Sequence, residues 1–504
     1  MSILRTSVAL TLLALLSRIL GLGRDLTVAW VFGANAETDA FYIASSIANA
    51  AYVVIAASLT SVTIPLLTRR ADPDVKADNY FYGGLVNLVF LVLAGLAALG
   101  VSNADRIARI LASEASEAMI AQTADYIAVL MPTIALLGTA GMFSGLLNYN
   151  RVFLPVAFAP VLLNLSVVLN VVLFGRQFGL EAAVFGTFLG AVLFLAVQTP
   201  VFYRTGYRHI WRLALRGSAT REFLASAWPV IAVALVSYAY AFVDISVGVR
   251  IGEGTVTGVN IASKLIQLPQ GILAMGLTTA AYPLVARLVE AGNQGAAAVL
   301  TRKLAVIIVL FSTVAAVLIL VQSDLIVSVV FGHGTFPPQA AAMTSDILAV
   351  LALALPALAL NVTLLRVLYA ARDWMTPLVA VLIAFVVKVV SAYALLGRFG
   401  IDAIALSTVV SVNFNAVLLM LFINHRVARP FNANFWASAA KVMAASVVIG
   451  ALLSGLRYMT GEWLSEIPDI VVFFGISLTG TALFAVAALG LLRKEVGYLS
   501  NLGR

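Results

Sequence analysis

"FLPVAFAPVLLNLSVVLNVVLFGRQFGLEAAVFGTFLGAV" fills residues 153–192, and "MTPLVAVLIAFVVKVVSAYALLGRFGIDAIALSTVVSVNF" fills residues 375–414. Each stretch reads as a proline, a long apolar run, Gly-Arg, a short link with a glycine, an acid, and a second apolar run. Pro155 aligns with Pro377, Gly175 with Gly397, Arg176 with Arg398 and, after a one-residue gap, Thr187 with Thr408. Apolar runs of about 20 residues are long enough to cross the hydrocarbon of a bilayer as helices, so each copy predicts two spans. The copies are roughly 222 residues apart, a distance of six spans. A repeat of even length keeps its orientation. It therefore predicts two parallel six-helix lobes, with a substrate site between them, as in transporters.

Working outward, the whole chain reads as an all-α polytopic membrane protein. It has 504 residues, 62% hydrophobic and 11% charged, and a mean hydropathy of +1.03; a soluble domain carries about a quarter charged residues. Strands of a membrane barrel are about 10 residues long with alternating polarity, and the long unbroken runs exclude them. The pattern predicts 14 transmembrane helices. Residues 1–202 form the N-lobe with spans 1–6, 203–222 a cytoplasmic linker, 223–424 the C-lobe with spans 7–12, and 425–504 spans 13 and 14 with the C-terminal tail. The first apolar stretch lacks a cleavage site and reads as a retained helix.

Charge sets the orientation. With the N-terminus inside, 19 Lys and Arg fall in cytoplasmic segments and 6 on the other side, which places both termini in the cytoplasm. The net charge of +8 is then a membrane-surface signal and not a nucleic-acid one. The run Arg204 to Arg216 reads as a cytoplasmic anchor, with docking of a partner as the alternative. Residues 103–122 read as an amphipathic external helix lying on the membrane. Cysteine is absent and the three histidines, His209, His333 and His425, are far apart, so neither thiolate chemistry nor a histidine metal site is expected. No phosphate-binding loop and no nucleophile–base constellation appears, which argues against an ATP-driven pump and against an enzyme.

The candidate site residues are charges inside predicted spans, where each costs about 2.5–3.5 kcal/mol on insertion scales. Span 1 carries Arg18, Arg24 and Asp25, and Asp39 opens span 2. Arg18 and Asp25 lie two helical turns apart on one face, and Arg24 points elsewhere. Gly21 and Gly23 weaken the helix between them, and a bend there could open the helix or let it change shape during a cycle. Asp244 lies in span 7, Lys264 in span 8 with Pro269 and Gly271 beyond it, Arg366 in span 10, and Lys388 about 18 Å into span 11, taking about 1.5 Å per residue. Two readings stand. Either Arg24 pairs with Asp25 or Asp39 and Arg18 with the other, locking the N-terminal half, or the arginines line a cavity and bind an anion. Cations outnumber acids in these spans, and a guanidinium fork matches phosphate geometry. An anionic substrate is therefore favoured over a cation.

"SRILGLGRDLTVAWVFGANAETDAFYIA" (17–44) resembles the opening signature of the MurJ (MviN) family of bacterial lipid II flippases, part of the multidrug/oligosaccharidyl-lipid/polysaccharide exporter superfamily. "KLIQLPQGILAMGLTTAAYPLVARL" (264–288) is similar to the family's span-8 pattern. The resemblance implies a two-lobe fold working by alternating access in the bacterial inner membrane. Lipid II, an undecaprenyl-pyrophosphate-linked glycan, would be carried to the outer leaflet. Its diphosphate would sit in the cationic cavity and its tail in a groove made with spans 13 and 14. Arg18, Arg24, Asp39 and Lys264 are then the expected substrate-binding residues, with Asp25, Arg366, Lys388 and Asp244 as cavity or coupling residues. Membrane phospholipids and envelope-synthesis proteins are the expected partners. No cofactor is expected; an ion or the membrane potential would supply the energy.

The chain departs from the pattern in three places. Tyr52 and Val53 stand where the family has an arginine pair, Ser263-Lys264 replaces Asp-Arg, and Lys388 stands where a sodium-site pattern would lie. A fixed Lys388 ammonium near Ser237, Asn413 or Asn415 could replace bound sodium; a snorkelling or paired structural lysine is the alternative. A flippase for another polyprenyl-diphosphate glycan, such as an exopolysaccharide or O-antigen unit, is the alternative function. A cation-coupled multidrug exporter stands behind it.

Overall fold

The computed structural model describes residues 3–56, 58–60, 63, 75–205, 207, 213, 218–332, 334–371, 373, 375–426, 429–464 and 467–491. Arg208, Arg212 and Arg216 of the basic run, together with His209 and His333, lie outside the described residues.

The chain folds as α1 (Ile3–Phe32), α2 (Ala36–Ala50) running into a π-helical turn (Ala51–Ala56), α3 (Val75–Ser102), α4 (Ala104–Leu111), α5 (Glu117–Leu130), α6 (Thr133–Tyr149), α7 (Leu154–Phe178), α8 (Glu181–Arg204) and α9 (Ser218–Ile251). It continues as α10 (Thr255–Glu290), α11 (Gln294–Phe331), α12 (Pro338–Ala352), α13 (Leu355–Ala370), α14 (Met375–Phe399), α15 (Asp402–Arg426), α16 (Ala433–Leu464) and α17 (Asp469–Leu491). Among the described residues, 11 helices are long and apolar enough to cross a membrane, or 12 if the bent pair α12–α13 is one span. Helices α1 and α10, of 30 and 36 residues, lie outside that set. The protein is an all-helical, polytopic membrane protein.

Two compact units result. One comprises Met1–Thr257 with Gly334–Pro337, and the other Gly258–His333 with Pro338–Arg504. In the first, Val28, Phe41, Ile43, Ile127, Leu137 and Phe194 share a buried core. In the second, Leu304, Leu364, Leu419 and Phe435 share one, and a separate cluster of Val317, Val321, Leu325, Leu453 and Phe484 packs α16 and α17 on α11.

The internal repeat resolves into two helical hairpins, α7–α8 of 25 and 24 residues and α14–α15 of 25 and 25. Their contacts differ. In α7–α8, a Cβ on Gly190 would lie 2.8 Å from the Leu163 carbonyl oxygen, and Ser166 Oγ donates to the Gly186 carbonyl at 2.8 Å. Lipid offers helices no hydrophobic reason to associate, so small residues that let backbones approach supply the contact. The same device seats the π-turn: a Cβ on Gly141 of α6 would meet Ala56 O at 2.5 Å, and Thr60 Oγ1 donates to Gly141 O at 2.9 Å.

One local expectation changes. Residues 103–122 do not form one helix. The chain leaves α4 at Leu111, and Ser116 restarts it by accepting the Met119 amide as the N-cap of α5. Arg109 spans the break to Asp105 and Glu117, both at 3.0 Å, and Glu117 and Asp105 hold its guanidinium above the usual range. Helices α12 and α13 meet at a 49° bend, where Pro356 at the start of α13 lacks the amide that would continue the ladder. Helix α1 is one continuous helix through Gly21 and Gly23. Gly21 faces Asn164 of α7, whose Nδ2 donates to the Ser17 carbonyl at 3.2 Å. That packing compensates for the weak propensity.

Gly141→Ala should destabilise the protein by about 1–3 kcal/mol through overpacking. Gly95→Ala, whose Cβ meets nothing within 4 Å, should be neutral or stabilising by up to about 1 kcal/mol. Thermal unfolding of the purified full chain in detergent compares the two.

Candidate functional site

The site grows from α1. Its apolar sequence makes a helix that buries Asp25, 1% exposed, and leaves the Arg24 side chain 11% exposed. Arg24 does not point away from Asp25. Its stem folds back so that Nε and Nη2 donate to the same oxygen, Asp25 Oδ1, at 3.0 and 2.9 Å. Asp25 Oδ2 is buried and has no hydrogen-bond partner among the described residues. A guanidinium carries five N–H donors, of which this contact uses two. Asp25 Oδ2 is therefore unsatisfied in a place where a polar atom without a partner is costly. Tyr42 and Tyr238 lie close enough to feel the Arg24 charge, which places α2 and α9 beside it.

Asp39 sits elsewhere. Asn35 and Thr38 form a reciprocal capping box at the start of α2, which fixes the turn and aims Asp39 at the first turn of α10. Asp39 Oδ2 accepts the Gly254 amide at 2.7 Å, and Oδ1 accepts the Thr257 amide at 2.8 Å and the Thr257 hydroxyl at 2.6 Å. The carboxylate thus caps the N-terminus of α10, where orphan amides and the positive end of the helix dipole favour an anion. Gly254 sits at φ +79°, and a Cβ there would lie 3.0 Å from the Ala34 carbonyl oxygen, so glycine makes this approach sterically feasible.

Lys388 is fully buried between α14 and α15. Its ammonium donates to Ile404 O at 3.1 Å, Ser407 Oγ at 2.9 Å and Thr408 Oγ1 at 2.6 Å. These are not the neighbours expected from the sequence. Asn413 donates to Val409 O on its own helix, and the Ser237 side chain lies outside the described residues. The α15 oxygens were missed because a polar pair in the first half of an apolar helix gives no linear signal; the repeat alignment could have found them, since Thr408 is one of its marker positions.

Of the remaining candidates, Arg18 on α1 and Asp244 on α9 lie in the first unit, and Lys264 on α10 and Arg366 on α13 lie in the second; all four are partly exposed. Tyr52 packs edge-on against Phe194 of α8 with ring centroids 5.5 Å apart, and Val53 is 47% exposed. Thr257, Tyr42 and Tyr238 join the site without having been singled out. Thr257 was legible in principle, because a helix opening after "GEG" needs an acceptor for its first amides.

The family model described as lipid II flippase MurJ matches residues 28–473. The chain is 25% identical over 471 residues to the lipid II flippase MurJ of Burkholderia cenocepacia, covering 90% of each chain. It is 23% identical over 466 residues to the probable lipid II flippase MurJ of Rhizobium meliloti, covering 89% of this chain and 85% of that one. Among solved structures, a lipid II flippase MurJ in an inward closed conformation superposes with a TM-score of 0.82 at 18% identity, covering 97% of this chain and all of that one. An inward-facing multidrug resistance MATE family transporter of the MOP superfamily superposes with a TM-score of 0.70 at 13% identity, covering 83% and 98%.

Replacing Asp39 by Asn should lower stability by about 1–3 kcal/mol, because a neutral amide cannot accept all three α10 donors. Thr257→Val, which keeps the amide bond and loses only the hydroxyl, should cost about 1 kcal/mol. Thermal midpoints of the two variants in one detergent give the ordering.

Proposed function

The chain belongs to the lipid II flippase MurJ family, and from that premise we propose that it carries lipid II from the inner to the outer leaflet of the bacterial cytoplasmic membrane by alternating access. The proteins of this family are transporters and not enzymes. The observation that carries the reading is the Arg24–Asp25 pair, in which Arg24 commits two of its five N–H donors to one carboxylate oxygen. A diphosphate offers several anionic oxygens to the remaining guanidinium donors, in the bidentate geometry that arginine favours. Asp25 neutralises Arg24 when no anion is bound and holds its guanidinium in place. Arg18 and Lys264 add positive charge for the phosphates and sugar. Asp39 acts as a positioning residue, because its oxygens are spent on α10. Asp244 and Arg366 belong to the cavity or to coupling.

The architecture that goes with this mechanism has 14 spans in two parallel six-helix lobes, two C-terminal helices for the lipid tail, and both termini in the cytoplasm. Helices α1 and α10 are the two spans that this count adds to the apolar set. Lys388 fits an ion-coupling role without an ion. Its ammonium fills a cage of one carbonyl and two hydroxyl oxygens, the ligand set that suits a monovalent cation, so it stands where sodium would bind. A second reading is carriage of a different polyprenyl-diphosphate glycan. The apolar packing of Tyr52 and the exposure of Val53 favour it, since an arginine pair there would add anion contacts.

Depletion of the native lipid II flippase in a bacterium, with this protein expressed in its place, provides the test. Lipid II exposed on the outer leaflet should be restored by the wild type and lost with Arg24→Ala at equal expression. Absence of restoration by a well-expressed wild type overturns lipid II as the substrate and leaves the second reading. In the same cells, Lys388→Ala should impose a dependence on sodium; unchanged transport with unchanged ion dependence removes the coupling role.

A further inference from the structure

The two C-terminal helices meet α11 at its one interior irregularity among the described residues. At Gln322 the backbone leaves helical geometry (φ −122°, ψ 16°). Such a break divides a helix into a first segment whose last carbonyls, and a second whose first amides, lose their helical partners. Arg457 of α16 reaches this point. Its Nη1 donates to the Val321 carbonyl at 2.5 Å and to Asp324 Oδ1 at 2.6 Å, and its Nη2 pairs with Asp324 Oδ2. The cation therefore lies at the carbonyl end of the first segment, and the acid it holds lies in the opening turn of the second. Both placements match the dipoles of the two segments. Helix α17 contributes from its side: Ser477 Oγ accepts from Gln322 Nε2 at 3.2 Å, and Asp469 accepts from Ser328 at 2.5 Å.

We infer that Arg457 is a positioning residue for transport, splinting α11 in its broken form by capping both halves of the break at once. The terminal hairpin, which has no counterpart in the internal repeat, is then a working part of the second unit. An exposed ion pair would contribute little on its own, and Arg457 and Asp324 are 27% and 59% exposed. The contact to Val321 O is what distinguishes a splint from a surface bridge.

The chain contains no cysteine, so Val299→Cys and Val329→Cys give two unique spin-label sites flanking the break. Their separation is measured by pulsed electron resonance on the full-length protein in lipid nanodiscs. A straight α11 would place their Cα atoms about 45 Å apart, and the broken wild type should read shorter. Arg457→Ala should lengthen the separation toward the straight value and lower lipid II exposure about tenfold, and Arg457→Lys should fall between. The reversed pair, Asp324→Arg with Arg457→Asp, keeps the ion pair but inverts both dipole placements, and it should behave like Arg457→Ala. An unchanged separation in Arg457→Ala, unchanged transport, or full rescue by the reversed pair overturns the inference. The transport arm rests on the flippase reading, whereas the separation does not. Failure of that reading shows as a wild type without lipid II transport and leaves the splint to be judged by distance alone.

Discussion

Hydrocarbon cannot hydrogen-bond, so a chain this apolar must satisfy its own polar groups wherever a helix starts, stops or carries a charge. The Asp39 carboxylate on the first turn of α10 is the clearest instance. Three donors from Gly254 and Thr257 converge on it, and the capping box of Asn35 and Thr38 holds the start of α2 so that they can. The end of α1 is closed in the same manner. The Trp30 carbonyl accepts both the amide and the hydroxyl of Thr335, at 3.0 and 3.1 Å. Gly334, at φ +76°, permits that approach, since a Cβ there would lie 2.3 Å from the Trp30 oxygen.

This rule separates what the sequence reveals from what it hides. Membrane class, helix positions and the list of intramembrane charges follow from apolar run length and charge cost, and these are one-dimensional properties. The boundaries of α7, α8, α14 and α15 are legible because Pro and Gly-Arg punctuate both copies. Partner choice is not legible. Arg24 reaches Asp25 although adjacent residues diverge on a helix, because four rotatable bonds outrun the backbone geometry. Asp39 turns to a helix end more than two hundred residues away. The break between α4 and α5 was hidden for a similar reason: periodicity runs through residues 103–122, and only the Ser116 cap and the Arg109 bridges decide against a single helix.

The repeated hairpins show how one template supports two mechanical roles. Ser166 and Lys388 occupy equivalent places after their prolines. The first lies in a contact made by glycines, with a single hydroxyl bond to Gly186. The second fills its contact with an ammonium bonded three ways, and Ser411 adds a bond to the Ala384 carbonyl. Close backbone contact and directional polar bonding are different ways to hold two helices in lipid. The symmetry of the sequence therefore does not extend to the forces between its helices.

The location of Lys388 also bears on how the protein is made. A lysine at the centre of a lone helix costs about 2.5–3.5 kcal/mol to place in the bilayer. Three of its acceptors, on α15, lie 16 to 20 residues downstream. While α14 is the last segment synthesised, those acceptors do not yet exist, and the ammonium lacks the three bonds that α15 later supplies. The hairpin α14–α15, and not α14 alone, is therefore the smallest piece of the chain in which these bonds can form. Helix α7, with Ser166 in the equivalent place, carries no charge there that waits for its partner helix.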